Sequence, residues 1–386
     1  MPEAVIVSTA RTPIGRAGKG SLIDVRPDDL GGFAIKQALA KVPNLDPNEV
    51  EDVMVGCGFP EEEQGMNLGR RVADLAGMPE VPGTTVNRFC ASSLQTIRMA
   101  FHAIKAGEGD VYVAAGIESI SRVPQVPRGA TEGDFSAFHP GQGGTDFTRF
   151  YMPMGITAAN VAERFNVSRE DMDRFGKRSQ DNAVAAQERG FFDWEISPYT
   201  KADGTTVSKD DGPRAGTTLE KLAELKPVFG DKITAGNACP LNDGAAAVVV
   251  MSEERAKQLN ITPLARIVAS SVTGLDPEIM GVGPIEAIRK VLKQANMTTD
   301  DIDQFELNEA FAAQVIASFR EVGVDPFDAR VNPNGGAIAL GHPYGMTGAR
   351  IMGTLINGLR ENDKRFGLET MCVGGGQGMA MIIERL

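Results

Sequence analysis

Three observations in the sequence predict an α/β protein in which one unit is used twice. Apolar runs of strand length alternate with helix-spaced segments through the first third of the chain. Two stretches about 250 residues apart align without a gap. The alternation fails once, in a Gly- and Pro-rich region from about Ser119 to Gly155. Alternation of this kind implies a largely parallel sheet covered by helices, and self-similarity at so long a period implies two copies packed together. The expected organisation is an N-terminal half over residues 1–118, completed by a returning segment at 243–265, an inserted loop domain over 119–242, and a C-terminal half over 266–386.

Taken in order, "AVIV" (Ala4 to Val7) reads as a strand and "DDLGGFAIKQALAKV" (Asp28 to Val42) as a helix. "VEDVMVGC" (Val50 to Cys57) is a second strand, a helix lies around "NLGRRVADLAG", and "TTVN" leads into the helix after Cys90. Leu94, Ile97, Phe101 and Ile104 recur there at helical spacing, so one face is expected to be buried. "DVYVAAG" is short and β-rich, hence a strand. After the insertion begins, "SRED" sets Ser168 and Asp171 as a capping box for a helix ending near Gly190. "DGAAAVVVMS" (Asp243 to Ser252) returns as a strand. The repeat follows: "NLDPNEVEDVMV" from Asn44 matches "NMTTDDIDQFEL" from Asn296, and "TTVNRFCASS" matches "ARVNPNGGAI". The later helix carries Ile351, Leu355 and Leu359 on one stripe and is followed by the strand "LETMCV".

Composition excludes several classes. The 386 residues are 42% hydrophobic and 23% charged with a net charge of −12, which gives nucleic-acid binding little electrostatic support. Cys57, Cys90, Cys239 and Cys372 are widely spaced with no CxxC pair, so neither a zinc ribbon nor a disulfide scaffold is expected, and no metal. The opening "MPEAVIVSTARTP" lacks a basic leader, and no apolar run reaches the ~18 residues of a membrane span. A cytoplasmic protein is expected.

Four elements could carry chemistry. Cys90, two residues after Arg88, falls at the expected first turn of its helix, where unpaired N–H groups and the helix dipole would lower a thiol's pKa. His342 lies between Gly341 and Pro343 on a glycine-rich loop, where core packing explains a histidine poorly; His102 and His139 read as structural. Cys372 ends a strand before "GGGQG", a turn whose exposed N–H groups suit an oxyanion. Asn308 and Glu309 stand between a strand and a helix, where N-capping explains Asn308 almost as well as catalysis does.

"NRFCASSLQ", "GIESISR", "NDGAAA", "NEAFAAQ", "NGGAIALGHP" and "MCVGGGQG" occur in one order along the chain, and with "STARTPIG" they resemble the thiolase family from end to end. The resemblance implies two similar βαβαβαββ halves in a five-layered α-β-α-β-α core, with a loop domain inserted in the first. It implies that Cys90 is the acylated nucleophile, His342 its base and Cys372 the second acid/base. It further implies one oxyanion hole at His342 and Asn308, and another at the N–H groups of Cys90 and Gly374. Coenzyme A would be a co-substrate, with no permanently bound cofactor. Arg214, Phe229, Ala235, Met154, Met280, Phe311 and Cys239 stand at substrate- and CoA-binding positions. One departure is "AGNACPLND", which puts Cys239 and Pro240 where many members have a serine contacting the pantetheine; Met346 in "GMTGAR" is another.

The implied reaction is thiolytic cleavage of a 3-ketoacyl-CoA to acetyl-CoA and a shortened acyl-CoA through an acyl-cysteine, a transferase reaction of the fatty-acid β-oxidation kind. "NRFCASS" and Pro153 before Met154 look more like the degradative than the biosynthetic type, which condenses two acetyl-CoA to acetoacetyl-CoA. A decarboxylating β-ketoacyl synthase would need a second histidine in place of one of these motifs. A non-catalytic CoA-binding protein would lose Cys90 or His342. A homodimer or homotetramer is implied, and a hydratase/dehydrogenase partner of β-oxidation is compatible.

Overall fold

A computed structural model describes residues 2–123 and 149–386 of the chain. Most of the Gly- and Pro-rich region, with His139, lies outside the described residues. The N-terminal half begins with β1 (Ala4–Arg11), the two-residue β2 (Gly15–Arg16), α1 (Pro27–Ala40), β3 (Asp52–Cys57) and α2 (Leu68–Leu75). It continues through β4 (Gly83–Val86), α3 (Ser92–Ala106) and β5 (Val111–Ser119). Helices α4 (Met154–Arg164) and α5 (Arg169–Glu188) follow, then a small hairpin of β6 (Tyr199–Thr200) and β7 (Thr206–Val207), and α6 (Leu219–Ala223). The chain returns in β8 (Asn242–Ser252) and α7 (Glu253–Gln258). The second half is β9 (Ala265–Gly274), α8 (Pro284–Ala295), β10 (Gln304–Leu307), α9 (Ala312–Glu321), α10 (Ala337–Leu340), α11 (Thr347–Glu361), β11 (Phe366–Val373) and β12 (Gln377–Arg385).

The strand order β10-β11-β12-β9-β1-β8-β5-β3-β4 contains the same arrangement twice. Reading outward from the middle, β1-β8-β5-β3-β4 matches β9-β12-β11-β10, with Val331 bridging Phe305 in parallel where β4 would stand. A 3₁₀ turn precedes the second strand in both copies, Pro47–Glu49 before β3 and Thr299–Asp301 before β10. The sheet is mixed rather than largely parallel. Among the described strands, only the ladders of β3 with β4, β3 with β5, and β10 with β11 are parallel. β11 and β12 are joined by a three-residue glycine turn, and a connection that short yields only antiparallel neighbours. The halves meet through two paired positions, Val5 with Arg266 and Ile6 with Ala265.

Helices cover both faces of each half-sheet. α1 and α2 lie outside the first, α8 and α9 outside the second, and α3 packs on α11 between them, which makes five layers. β8 shows why its sequence is continuously apolar: Ala245, Ala247, Val249 and Met251 face the outer helices, while Ala246, Val248 and Val250 face the central pair. Sequence spacing predicts single apolar stripes on α3 and α11, but every residue of α11 from Thr347 to Leu359 is buried. A helix enclosed by two half-sheets and a second helix has no solvent face. Gly348 allows that close approach, since a Cβ there would fall 2.3 Å from the Leu94 nitrogen.

The cap on α5 forms as its sequence indicates, with Ser168 Oγ accepting the Asp171 N–H at 3.0 Å. The Asp171 carboxylate accepts from Arg320 instead, tying α5 to α9.

Candidate active site

Cys90 sits in a 3₁₀ turn, Phe89–Ala91, immediately before α3. Phe89 holds a left-handed φ of 43°, a costly conformation for a residue with a Cβ. Local bonds support it: Phe89 N–H donates to Asn87 Oδ1 (2.8 Å), Arg88 N–H to Ser92 Oγ (2.9 Å), and Ser92 Oγ to the Phe89 carbonyl (2.6 Å). The expectation that the helix start lowers the thiol pKa is not met. Burial pushes the Cys90 thiol up to about 12; the N–H groups of Gly374 and of Cys90 itself pull it back, and the charge of Glu118 adds to the rise. Desolvation outweighs the dipole because Cys90 is enclosed between the halves.

His342 is buried and bound at both ring nitrogens. Nδ1 lies 2.7 Å from Thr347 Oγ1, whose own proton goes to the Pro343 carbonyl at 2.8 Å. The hydroxyl oxygen therefore accepts, Nδ1 carries the hydrogen, and Nε2 is left as the basic nitrogen. Nε2 lies 3.2 Å from Asn308 Nδ2. Burial, then the nearby Arg350 charge, lowers the imidazole to about 3. Asn308 caps no helix: α9 begins after Phe311, whose side chain forms no cap, and the Asn308 carbonyl accepts from Gln314 Nε2 at 2.6 Å. The Asn308 Oδ1 atom is buried without a hydrogen-bond partner among the described residues.

Cys372 is fully buried near the end of β11, and its thiol is raised well above the ordinary range by burial, then by the charges of Cys90 and Cys239. Three thiols thus share one interior region. Cys372 packs with Met280 and Ala310, and Met154, Cys239 and Phe311 close around them. Two backbone contacts position Cys239: its N–H donates to the Ala310 carbonyl (2.9 Å), and Ala238 bridges Phe311. Burial raises the Cys239 thiol as well. The turn after Cys372 is made possible by Gly375 and Gly376, both at left-handed φ (74° and 76°).

The segments around 90, 342 and 372 therefore converge. The Phe89–Ala91 turn packs against both β11 and the Tyr344–Met346 turn that follows His342. Met346 itself is fully buried in the central core. The other binding candidates are spread more widely. Phe229 is half-buried, its ring close against Gly155 at the start of α4. Arg214 and Ala235 are exposed on the insertion, with the Arg214 N–H donating to Gln180 Oε1 at 2.8 Å.

The motif reading quoted but did not assign three residues that hold this site together. Asn242 Oδ1 accepts the His342 N–H (2.9 Å), fixing the histidine loop to β8. Glu118, fully buried, accepts N–H groups from Gly58 (2.7 Å) and Gly345 (2.9 Å) and the Gln64 amide (2.7 Å), joining the end of β5 to the histidine loop. Thr347 selects the imidazole tautomer. Asn242 and Glu118 lie inside "NDGAAA" and "GIESISR", so the signal was present; a role that consists of holding backbone from another segment needs the fold to be seen.

Family models described as Thiolase, N-terminal domain and Thiolase, C-terminal domain match residues 4–254 and 261–385. The chain is 47% identical over 403 residues to a β-ketoadipyl-CoA thiolase of Acinetobacter baylyi, with full coverage of both. It is 44% identical over 400 residues to a 3-ketoacyl-CoA thiolase of Bacillus subtilis, again with full coverage of both. The crystal structure of the Bacillus anthracis acetyl-CoA acetyltransferase superposes with a TM-score of 0.90 at 39% identity, covering 100% of this chain and 99% of that one.

Proposed function

The chain belongs to the thiolase family of acyltransferases, and from that premise we propose that it cleaves 3-ketoacyl-CoA substrates with CoA through an acyl-Cys90 intermediate. The observation that carries this reading is the convergence of Cys90, its Gly374 amide and Cys372 in one buried region, on turns packed against the loop that holds the imidazole of His342.

Cys90 Sγ adds to the 3-keto carbon while its proton passes to His342 Nε2. Burial disfavours a free ion pair between Cys90 and His342, so transfer and addition occur together. The alkoxide that forms is stabilised by buried N–H donors, here those of Cys90 and Gly374 or the His342–Asn308 pair. The C2–C3 bond then breaks, and its electrons form the enolate of acetyl-CoA. Cys372 protonates that enolate at C2 and becomes the thiolate, which takes the proton of the incoming CoA thiol. CoA sulfur attacks the acyl-cysteine, Cys90 leaves and recovers its proton from His342, and the shortened acyl-CoA departs. Splitting one carbon–carbon cleavage into two acyl transfers is the advantage of the covalent route.

Met154, Cys239, Met280, Ala310 and Phe311 form the wall along which an acyl chain or pantetheine arm would lie. Arg214, Phe229 and Ala235 would meet the rest of CoA on the insertion. The half-buried Cys239 offers a weaker hydrogen bond than a serine hydroxyl, so this wall is more apolar. Pro153 before Met154 and the names of the two sequence relatives support a degradative substrate. The acetyl-CoA acetyltransferase neighbour supports condensation of acetyl-CoA as the second reading. Among the described residues no helix is long and apolar enough to cross a membrane. The family resemblance supports a cytoplasmic homodimer or homotetramer.

Two measurements test the reading. Incubation with acetyl-CoA followed by mass spectrometry should place one acetyl group on Cys90. Thiolysis of acetoacetyl-CoA, of longer 3-ketoacyl-CoAs and of β-ketoadipyl-CoA should favour a substrate longer than four carbons. An absent adduct would sink the covalent mechanism, and strict restriction to the four-carbon substrate would overturn the degradative assignment.

A further inference from the structure

Arg88 is a half-buried cation two residues from the nucleophile, and its recorded partners are neutral. Its Nε donates to Gln95 Oε1 (2.9 Å) and its Nη1 to Gln377 Oε1 (2.6 Å). Among the described residues no carboxylate acts on its charge; burial and the neighbouring Arg98 both lower its pKa. Surface arginines meet carboxylates or water. A half-buried guanidinium held by two amides rather than by a carboxylate needs another explanation.

The partners supply one. Gln377 is the first residue of β12, and its Nε2 donates back to the Gly374 carbonyl at 3.3 Å. Gly374 is the residue whose N–H faces the Cys90 sulfur. One planar side chain therefore connects the turn that carries the thiol with the turn that carries the amide, across 289 positions of sequence. The same two turns touch once more, since a Cβ on Gly374 would lie 3.3 Å from the Phe89 ring. Phe89 is the residue held at left-handed φ, so the thiol turn is strained and its position depends on what surrounds it. Gln95, on the first turns of α3, keeps the guanidinium plane aligned with the helix that follows the nucleophile. Arginine suits this task because its donors are fixed in one plane, whereas a lysine ammonium would not hold two amides in a set orientation.

We propose that Arg88 is a positioning residue: through Gln377 it fixes the Gly374 turn against the Cys90 turn, and so sets the spacing between sulfur and the amide that receives the oxyanion. This rests on Cys90 being the nucleophile. Among the described residues the Arg88 side chain bonds to Gln95 and Gln377 and not to the Cys90 sulfur. Its influence is on geometry, where a displacement of about 1 Å costs on the order of 100-fold in rate.

The test compares wild type with Arg88→Met, Arg88→Lys, Gln377→Ala and the Arg88→Met/Gln377→Ala double variant. Acetylation of Cys90 by acetyl-CoA is timed by mass spectrometry, thiolysis is followed at steady state, and folding is checked by circular dichroism and thermal melting. Arg88→Met and Gln377→Ala should each slow acetylation and lower kcat by about 10- to 100-fold, with the KM for CoA changed less than about twofold. Arg88→Lys should fall between. The double variant should be no slower than the slower single one, because both break the same connection. Multiplying effects in the double variant, or a kcat loss matched only by a smaller folded fraction, would overturn the proposal. Should Arg88→Met fail to fold, Gln377→Ala leaves the cation in place and decides the matter by the same readings. A wild type without an adduct refutes the covalent mechanism; an adduct formed equally fast in every variant refutes Arg88 alone.

Discussion

At the scale of single residues, the site is organised around two groups that burial keeps uncharged. Cys90 is raised to about 12 and His342 lowered to about 3, and each shift opposes a resting thiolate–imidazolium pair. The consequence is readable in solution. A thiol in this condition reacts only through the small fraction that is ionised, which grows tenfold per pH unit below its pKa. Alkylation of Cys90 by iodoacetamide in the substrate-free enzyme should therefore climb steadily from pH 6 to pH 9, with Cys90→Ser as the blank. A plateau across that interval would mean that the ion pair already exists and that proton transfer precedes substrate. Cys90, His342 and Cys372 could be singled out in the sequence because rare residue types stood in glycine-rich or helix-start settings, and the roles proposed for them come from the family resemblance. Their protonation was not legible there. A helix start argued for a depressed thiol, and only the enclosure of that turn between two halves reverses the sign.

At the scale of elements, one strand pairing creates a problem that neither strand reveals alone. Parallel pairing of β10 with β11 sets Glu306 beside Glu369, and both project toward α11, where Arg350 lies. Gln304 Nε2 donates to Glu306 at 2.9 Å, while among the described residues neither oxygen of Glu369 has a hydrogen-bond partner and Arg350 Nε and Nη1 are likewise unpaired. Arg11, the other arginine buried among the described residues, is already engaged by Glu195 and Asp210. Burial raises Glu306 to about 8, opposed by Arg350 and Gln304 and reinforced by Glu309 and Glu195. It raises Glu369 well above its ordinary value, with Glu306 adding and Arg350 opposing. Between the ordinary carboxylate pKa and these raised values the folded chain keeps protons that the unfolded chain has lost. Their contribution to stability is thus fully present below the ordinary carboxylate pKa and is lost as pH rises from there through the folded values. Glu369→Gln removes that loss. Its melting temperature should match wild type near pH 4, below the ordinary carboxylate pKa, and exceed it at pH 9 by about 2 °C or more. An advantage of equal size at both values would exclude ionisation as the cause. "FEL" and "LETMCV" were both legible as strands, but the register that brings Glu306 to Glu369 is a contact between segments, which hydrophobic spacing within either segment does not encode.

At the scale of the whole molecule, the duplication that the sequence reveals is also what makes the halves inseparable. "NLDPNEVEDVMV" and "NMTTDDIDQFEL" align because each copy needs the same turn into its second strand, and the strand order repeats accordingly. What sequence spacing did not show is that each copy leaves one face of its sheet for the other to cover. The central core takes Ile6, Met54, Leu94, Ile97, Phe101, Ile104, Val248 and Val250 from the first half. From the second it takes Ile351, Met352, Leu355, Leu359, Met371, Met379, Met381 and Ile383. Full burial of one such side chain contributes about 1.5–3 kcal/mol, so uncovering those eight on the second half would forfeit on the order of 10–25 kcal/mol. That is comparable to or larger than the ~5–15 kcal/mol by which a whole domain is stable. The two paired positions between β1 and β9 add little hydrogen bonding to set against it. Residues 261–386 expressed alone should therefore form a compact but unpacked state that binds a hydrophobic dye, lacks near-ultraviolet circular dichroism and melts without a cooperative transition. Co-expression with residues 1–260 should restore cooperative melting and, because Cys90 lies on one fragment and His342 and Cys372 on the other, Cys90 acetylation as well. A second half that melts cooperatively by itself would show that the central layer is an interface between finished domains. The site would then be a product of docking, where the shared core makes it a product of folding.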